Sequence, residues 1–184
     1  QVANPKTIGQ TSQRAAFAAV NVALKNLIPL IDIGFKNFQS KMAPFSHSSK
    51  RSLKEAVSGV AGSRVVDFTK LKISDGKLSP VILASKTYSD VSGLLTIVFA
   101  SPDANSYDQD SDKIAFGCYT PENGYTQINS NVAVRSEGDF SIFLNKDKVT
   151  VNTVFFVFPW SDVPAMATPK VKFKAGAELA GKVR

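Results

Sequence analysis

The chain has 184 residues, 43% hydrophobic and 20% charged, which suits one domain with an extension or two small domains and argues against wholesale disorder. Its net charge of +7 lies entirely within residues 1–64, where nine bases meet only Asp32 and Glu55. A single cysteine and a single histidine exclude an internal disulfide and multi-cysteine zinc sites, and remove most hydrolytic and metal chemistry.

The chain starts at Gln1 rather than Met, so the true N-terminus is expected to have been removed or left out, and any targeting segment would not be visible in it. Two helix starts then compete. Asn4 with Pro5 at the first helical position is one. A capping box from Thr7 to Gln10 is the other, and Gly9 favours a helix that becomes regular only around Thr11. Beyond it, Ala16, Val20, Leu24, Leu27, Ile31, Phe35, Phe38 and Met42 follow one another at steps of three and four, a single apolar stripe along a helix. Pro29 predicts a kink or a split near Asn26 to Ile28. Val20–Phe38 comes nearest to a membrane span but is interrupted by Asn21, Lys25, Asn26, Asp32, Lys36 and Asn37.

Met42-Ala43-Pro44 is expected to end this helical stretch. Ser46, Ser48 and Ser49 then read as a loop with His47 in solvent, followed by a short helix over Ser49–Val57 that stops near Gly59 and Gly62. The stripe can pack on the rest of the chain or on a second copy. The bases around it are either a solvated face or a contact for phosphate or an acidic surface; they neither concentrate on one side nor interleave with aromatics.

From Val65 the period changes to two. Strands are predicted over Phe68–Ser74, Val81–Ala84, Leu94–Ala100, Lys113–Tyr119, Tyr125–Ile128, Ala133–Arg135, Phe140–Leu144, Thr153–Trp160 and Val171–Phe173. Asp75-Gly76 and Pro121-Glu122-Asn123-Gly124 mark turns. Leu94–Ala100 is too apolar on both faces for an edge. Lys170, Lys172 and Lys174 alternate as the charged face of an exposed edge strand, or as an anion-binding ladder. Cys118, in an apolar run, reads as a buried and inert thiol. Trp160 reads as a core or core-edge aromatic; if exposed, it would mark a partner site.

The acidic loop 103–112 raises the question of calcium. Asp108, Asp110 and Asp112 have the spacing of an EF-hand start, but Lys113 stands where Gly is needed and Tyr119 where Glu is needed. An EF-hand is rejected; a looser surface calcium site and a solvated polar loop stay open. Phosphate-binding Gly-rich loops and Gly-x-Ser-x-Gly are absent.

Asn4-Pro5-Lys6-Thr7, Gln10, Ser12-Gln13-Arg14, Phe17 and Gly34-Phe35-Lys36-Asn37 resemble a family of uncharacterised proteins from Bacteroidota genomes, catalogued as a domain of unknown function. The likeness runs on through Lys41-Met42 and Leu53–Val57. The opening also resembles segments of phage and prophage structural proteins. The resemblance implies kinship and a virion setting, and it supplies no catalytic residues.

The expected fold is α+β: a basic helical arm over residues 1–62, then an antiparallel immunoglobulin- or fibronectin III-like β-sandwich over residues 63–184. The expected function is a non-enzymatic structural or assembly protein of a phage-type particle, docking on other copies or other subunits through the arm. A nucleic-acid-associated basic protein and a surface module binding glycan or protein through sandwich loops are the alternatives. Candidate partner contacts are Arg14, Lys25, Lys36, Lys41, Lys50, Arg51, Phe35 and Phe38. No cofactor, metal or catalytic residue is assigned.

Overall fold

Thr7 opens the first helix with the expected capping box: its hydroxyl accepts from Gln10 N–H, and the Gln10 side chain accepts from Thr7 N–H, both at 3.4 Å. In this computed structural model, which describes residues 7–36, 41–100 and 107–162, α1 (Ile8–Asn26) is regular from that cap onward and not only from Thr11. Gly9 is tolerated because it lies against another part of the chain: a Cβ there would sit 3.2 Å from Ala61 Cβ. The alternative start at Asn4 lies outside the described residues.

Pro29 splits the helix as its missing N–H requires. α2 (Ile28–Gly34) follows α1 at 78°. It ends earlier than the stripe implied, at Gly34, where a side chain would collide with Ile73 O and come within 2.8 Å of Ser74 Cβ. Asp75 N–H donates to Gly34 O at 3.1 Å, so the crossing chain is bonded to the helix end. Phe38 lies outside the described residues, and Met42 is exposed rather than part of the stripe.

The serine-rich segment is helix, not loop. Pro44 opens α3 (Pro44–Glu55) at its first turn instead of closing the preceding helix. Ser48, Ser49 and Ser52 fall on its buried side, where small hydroxyl side chains let another backbone approach. Ser48 Oγ donates to Lys72 O at 2.6 Å and Lys72 N–H donates to Ser52 Oγ at 2.9 Å. Two serines one turn apart thus satisfy both backbone groups of Lys72.

This clasp explains why Phe68–Ser74 is not a strand. After a short hairpin of β1 (Val57–Ser58) and β2 (Val65–Val66), the chain makes a 3-10 turn over Phe68–Lys70 and runs on extended. Leu71 and Ile73 alternate into the core as the pattern predicts, but helix hydroxyls replace a neighbouring strand.

The remaining strands form two antiparallel sheets. One has the order β3-β4-β7, from β3 (Ile82–Tyr88), β4 (Leu94–Ala100) and β7 (Asp139–Phe143). The other has the order β6-β5-β8, from β5 (Lys113–Thr120), β6 (Tyr125–Val134) and β8 (Val154–Trp160). The segments Tyr125–Ile128 and Ala133–Arg135 are one strand through Val134, with a 3-10 turn at Arg135–Glu137. β4 is central in its sheet as expected. The predicted strand Val171–Phe173 lies outside the described residues.

β5 joins the layers, because both of its faces are buried. Ala115 and Tyr119 pack with Val20, Leu24, Leu27, Leu30, Ile31 and Phe35 of the helices and Phe156 and Phe158 of β8. Ile114, Phe116 and Cys118 point the other way, against Leu95, Ile97, Phe99 and Phe140 of the facing sheet. The helical stripe is therefore buried within its own chain, and the helices share one core with the sheet that follows. The choice between the chain's own body and a second copy is decided for the body.

The chain is α+β, with a β-rich part consistent with a sandwich. An immunoglobulin constant domain has seven strands in sheets of four and three. The described residues supply three and three.

Candidate functional site

Once the apolar stripe is inside, the far side of α1 is what the helical layer presents to solvent. Arg14, Ala18, Val22 and Lys25 follow at steps of four, four and three and are all exposed, Val22 to 55%. Phe17 flanks them at 50% exposure, with Asn21 Nδ2 donating to Phe17 O at 2.8 Å. An exposed phenyl and an exposed valine beside two bases form a mixed apolar and cationic face.

The eight predicted contact residues do not converge. Arg14 and Lys25 share the α1 face; Lys41 and Lys50 are exposed elsewhere, before and within α3. Arg51 bridges Asp75 through Nη1 and lies 3.4 Å from Glu55 Oε1 through Nε. His47 stands beside this pair, not in solvent: its Nε2 is 4.0 Å from Asp75 Oδ2 and its ring is 5.4 Å from that of Phe35. Phe35 is 3% exposed, so as a contact residue it is corrected to core, held between helix and sheet. Phe38 is outside the described residues.

Lys36 is drawn into a second grouping that sequence reasoning did not assemble. Its Nζ lies 2.7 Å from Asp162 Oδ1, while Lys113 Nζ lies 2.6 Å from Asp162 Oδ2. Both ammonium groups also sit over the Trp160 ring, at 5.1 and 4.9 Å from its centroid. Trp160 Nε1 donates to Ser130 O at 2.6 Å. Hydrogen bonds from Lys113 and then Lys36 hold the Asp162 carboxyl below its ordinary pKa. Trp160 is half-buried at the core edge. The corner welds the end of α2 to the ends of β5 and β8 by groups 126 and 49 residues apart in sequence.

The acidic loop is equally structural. Asp108 and Asp112 both face Arg135, at 3.3 and 3.5 Å, with all three side chains at most 4% exposed. Ser79 N–H donates to Asp108 Oδ1, and Arg135 Nη2 donates to Ser79 O, so the loop is tied to the approach to β3. The Arg135 guanidinium lies against both carboxylates and offsets part of their charge, and it would repel a divalent ion placed there. Residues 103–106 of that loop lie outside the described residues.

Cys118 is fully buried, and burial pushes its thiol pKa up to about 11. No single helix among the described residues is long and apolar enough to cross a membrane.

The model of a family described as a family of unknown function, DUF6266, matches residues 1–161. The chain belongs to that family. The DUF6266 match takes in the three helices and the two three-stranded sheets of the described residues, ending one residue past β8. No curated protein and no solved structure matches the chain.

The outer stripe of α1 could have been read from the same helical wheel that gave the inner one. The Trp160 corner had no such signal, because its four members come from distant elements.

Proposed function

We propose that the protein is a non-enzymatic structural component that docks on neighbouring subunits through the solvent side of its helical layer. The observation that carries this reading is the α1 face, where Phe17 and Val22 stay half exposed between Arg14 and Lys25 although the inner stripe is already buried. Apolar groups beside guanidinium and ammonium suit an interface whose centre excludes water and whose rim meets acidic groups. A phage-type particle is the setting suggested by the Asn4-Pro5 to Arg14 opening, with a virion location following from it. An immunoglobulin-style sandwich, overlaid by helices on one sheet, is the architecture of this reading.

The bases support the nucleic-acid reading less well. Lys36 and Arg51 are engaged by carboxylates of their own chain, and Lys41 and Lys50 lie off the α1 face.

The test is the mass of the native protein by sedimentation at several concentrations, alone and with the neighbouring gene products. Assembly is expected, and Phe17→Asp with Val22→Asp is expected to abolish it without lowering the melting temperature. A monomer throughout, with no partner retained, would remove the proposal. Salt-sensitive binding to DNA by the same monomer would replace it with the nucleic-acid reading.

A further inference from the structure

The outer face of the β3-β4-β7 sheet lies on the side of the molecule opposite the helices. Leu95, Ile97, Phe99 and Phe140 turn inward against β5, whose other side packs on the helical layer. The alternate positions of the same strands therefore face outward, where an antiparallel sheet is ordinarily polar. Here they carry an apolar stripe. Phe143, 68% exposed, pairs in register with Leu94, and Val98 is exposed further along the same face of β4. Ile82, also exposed, continues the stripe on β3 opposite Ala100. Between them the register partners Thr96 and Ser141 bond their hydroxyls to each other at 2.8 Å.

The charge of this face is as distinctive as its apolarity. Asp139, in register with Val98, is its one charged side chain among the described residues. The single base in the three strands, Lys86, turns the other way and lies 4.9 Å over the Phe155 ring. A chain with a net charge of +7 thus has a sheet face with no base. The outer face of α1 is its converse, with Arg14 and Lys25 on a helix that contains no Asp or Glu. Phe17 and Val22 are exposed beside them, and Ala15 and Ala18 are small enough for another surface to come close.

We infer that the partner of the α1 face is the outer face of β3-β4-β7 on a second copy of this chain. The inference rests on the assembly reading above and names what that site binds. Pairing two α1 faces would set Arg14 and Lys25 against bases, and like charges across an interface are unfavourable. Against the sheet face the bases meet Asp139, while Phe17 and Val22 cover Leu94, Val98 and Phe143. The chain already packs helices on a sheet in this manner, with α1 and α2 laid on β5 and β8. Because the two faces lie on opposite sides of the molecule, each docked copy presents a fresh face to the next. The result is a head-to-tail series, a ring or a filament according to the rotation between neighbours.

Complementation between two variants of the full chain tests this. The helix-face variant carries Phe17→Asp and Val22→Asp. The sheet-face variant carries Val98→Lys and Phe143→Lys, which also sets bases against those of α1. Each alone is expected to sediment as a monomer with the melting temperature of the parent, because the changed side chains all face solvent. Mixed in equal amounts, they are expected to form a dimer and nothing larger, since one intact helix face and one intact sheet face remain between them. A sheet-face variant that assembles like the parent would overturn the inference. So would loss of assembly in both variants with no dimer on mixing, the sign of faces that pair with their own kind. So would a parent chain that assembles with a different gene product and not with itself. In all three cases the docking role of α1 survives, provided the helix-face variant has lost its partner. A parent chain that is monomeric throughout and retains no partner removes both readings. Should the sheet-face variant fail to fold, Phe143→Ser alone takes its place in the same mixture.

Discussion

Leu30 Cδ2 occupies the space that a side chain at position 117 would need. Leu30 is fully buried on α2, and Gly117 lies mid-strand in β5 between Ala115 and Tyr119 on the helix-facing side. A glycine in a strand interior weakens the strand, and here the loss is offset by the close approach of a helix. Gly117→Ala is expected to destabilise the protein by about 1–3 kcal/mol through overpacking. Urea denaturation should show the penalty falling when Leu30→Ala is added, because the two residues compete for one volume. A neutral Gly117→Ala would mean that α2 does not seat as described.

Ser52 offers a cleaner test of the serine clasp. Ser52→Ala removes the acceptor for Lys72 N–H while changing little volume. An unsatisfied, partly buried donor costs about 1–3 kcal/mol. The Lys72 amide should also exchange faster in the variant, which separates loss of this bond from general loosening.

Removing the guanidinium from the buried ion group should be more damaging. Arg135→Met leaves Asp108 and Asp112 facing each other without their cation. The expected loss is about 3–5 kcal/mol by chemical denaturation. Calcium is expected to leave the melting temperature of the parent protein unchanged. A calcium-dependent rise would show that the loop takes the ion in spite of Arg135.

The Trp160 corner predicts a pH response with a definite sign. The folded-state pKa of Asp162 is depressed by Lys113 and Lys36, so its stabilising contribution is complete above the unfolded value of about 3.9. It is lost as pH falls below that value and through the lower folded pKa. Because Asp162 is exposed the contribution is small, but Trp160 is the only tryptophan and reports it directly. Its fluorescence should titrate in this acid range in the parent and stay flat in Asp162→Asn.

Cys118 should react with a thiol reagent only as fast as the protein opens. A thiolate is the reactive form, and with the pKa pushed up to about 11 little of it exists at pH 8. Reaction in the native state should be slow and become rapid in denaturant. Prompt native-state labelling would contradict its burial against Leu95 and Phe116.

Much of the fold was legible in the chain because local rules act over a few residues. Thr7 with Gln10 predicted a cap, Pro29 a break, and Asn123-Gly124 a hairpin turn that Gly124 makes with φ of 68°. The short apolar runs of β4, β5 and β8 predicted strands near their observed bounds. The serine segment misled because serine is a poor helix former, and its buried contact with Lys72 overrides that preference. Phe68–Ser74 misled for the complementary reason: its alternation reported burial, not which partner would accept its backbone hydrogen bonds.

Composition and periodicity alone thus specified a cationic helical beginning, a neutral β-rich remainder and an apolar stripe that had to be covered, since each depends on residues within a few turns or a single strand. Folding in three dimensions settled what covers the stripe, which bases keep a solvent-facing role, and where Lys36, Lys113, Trp160 and Asp162 meet. A pattern states that a surface must be buried. The identity of the opposing surface depends on contacts between residues a hundred or more positions apart, which no local period encodes.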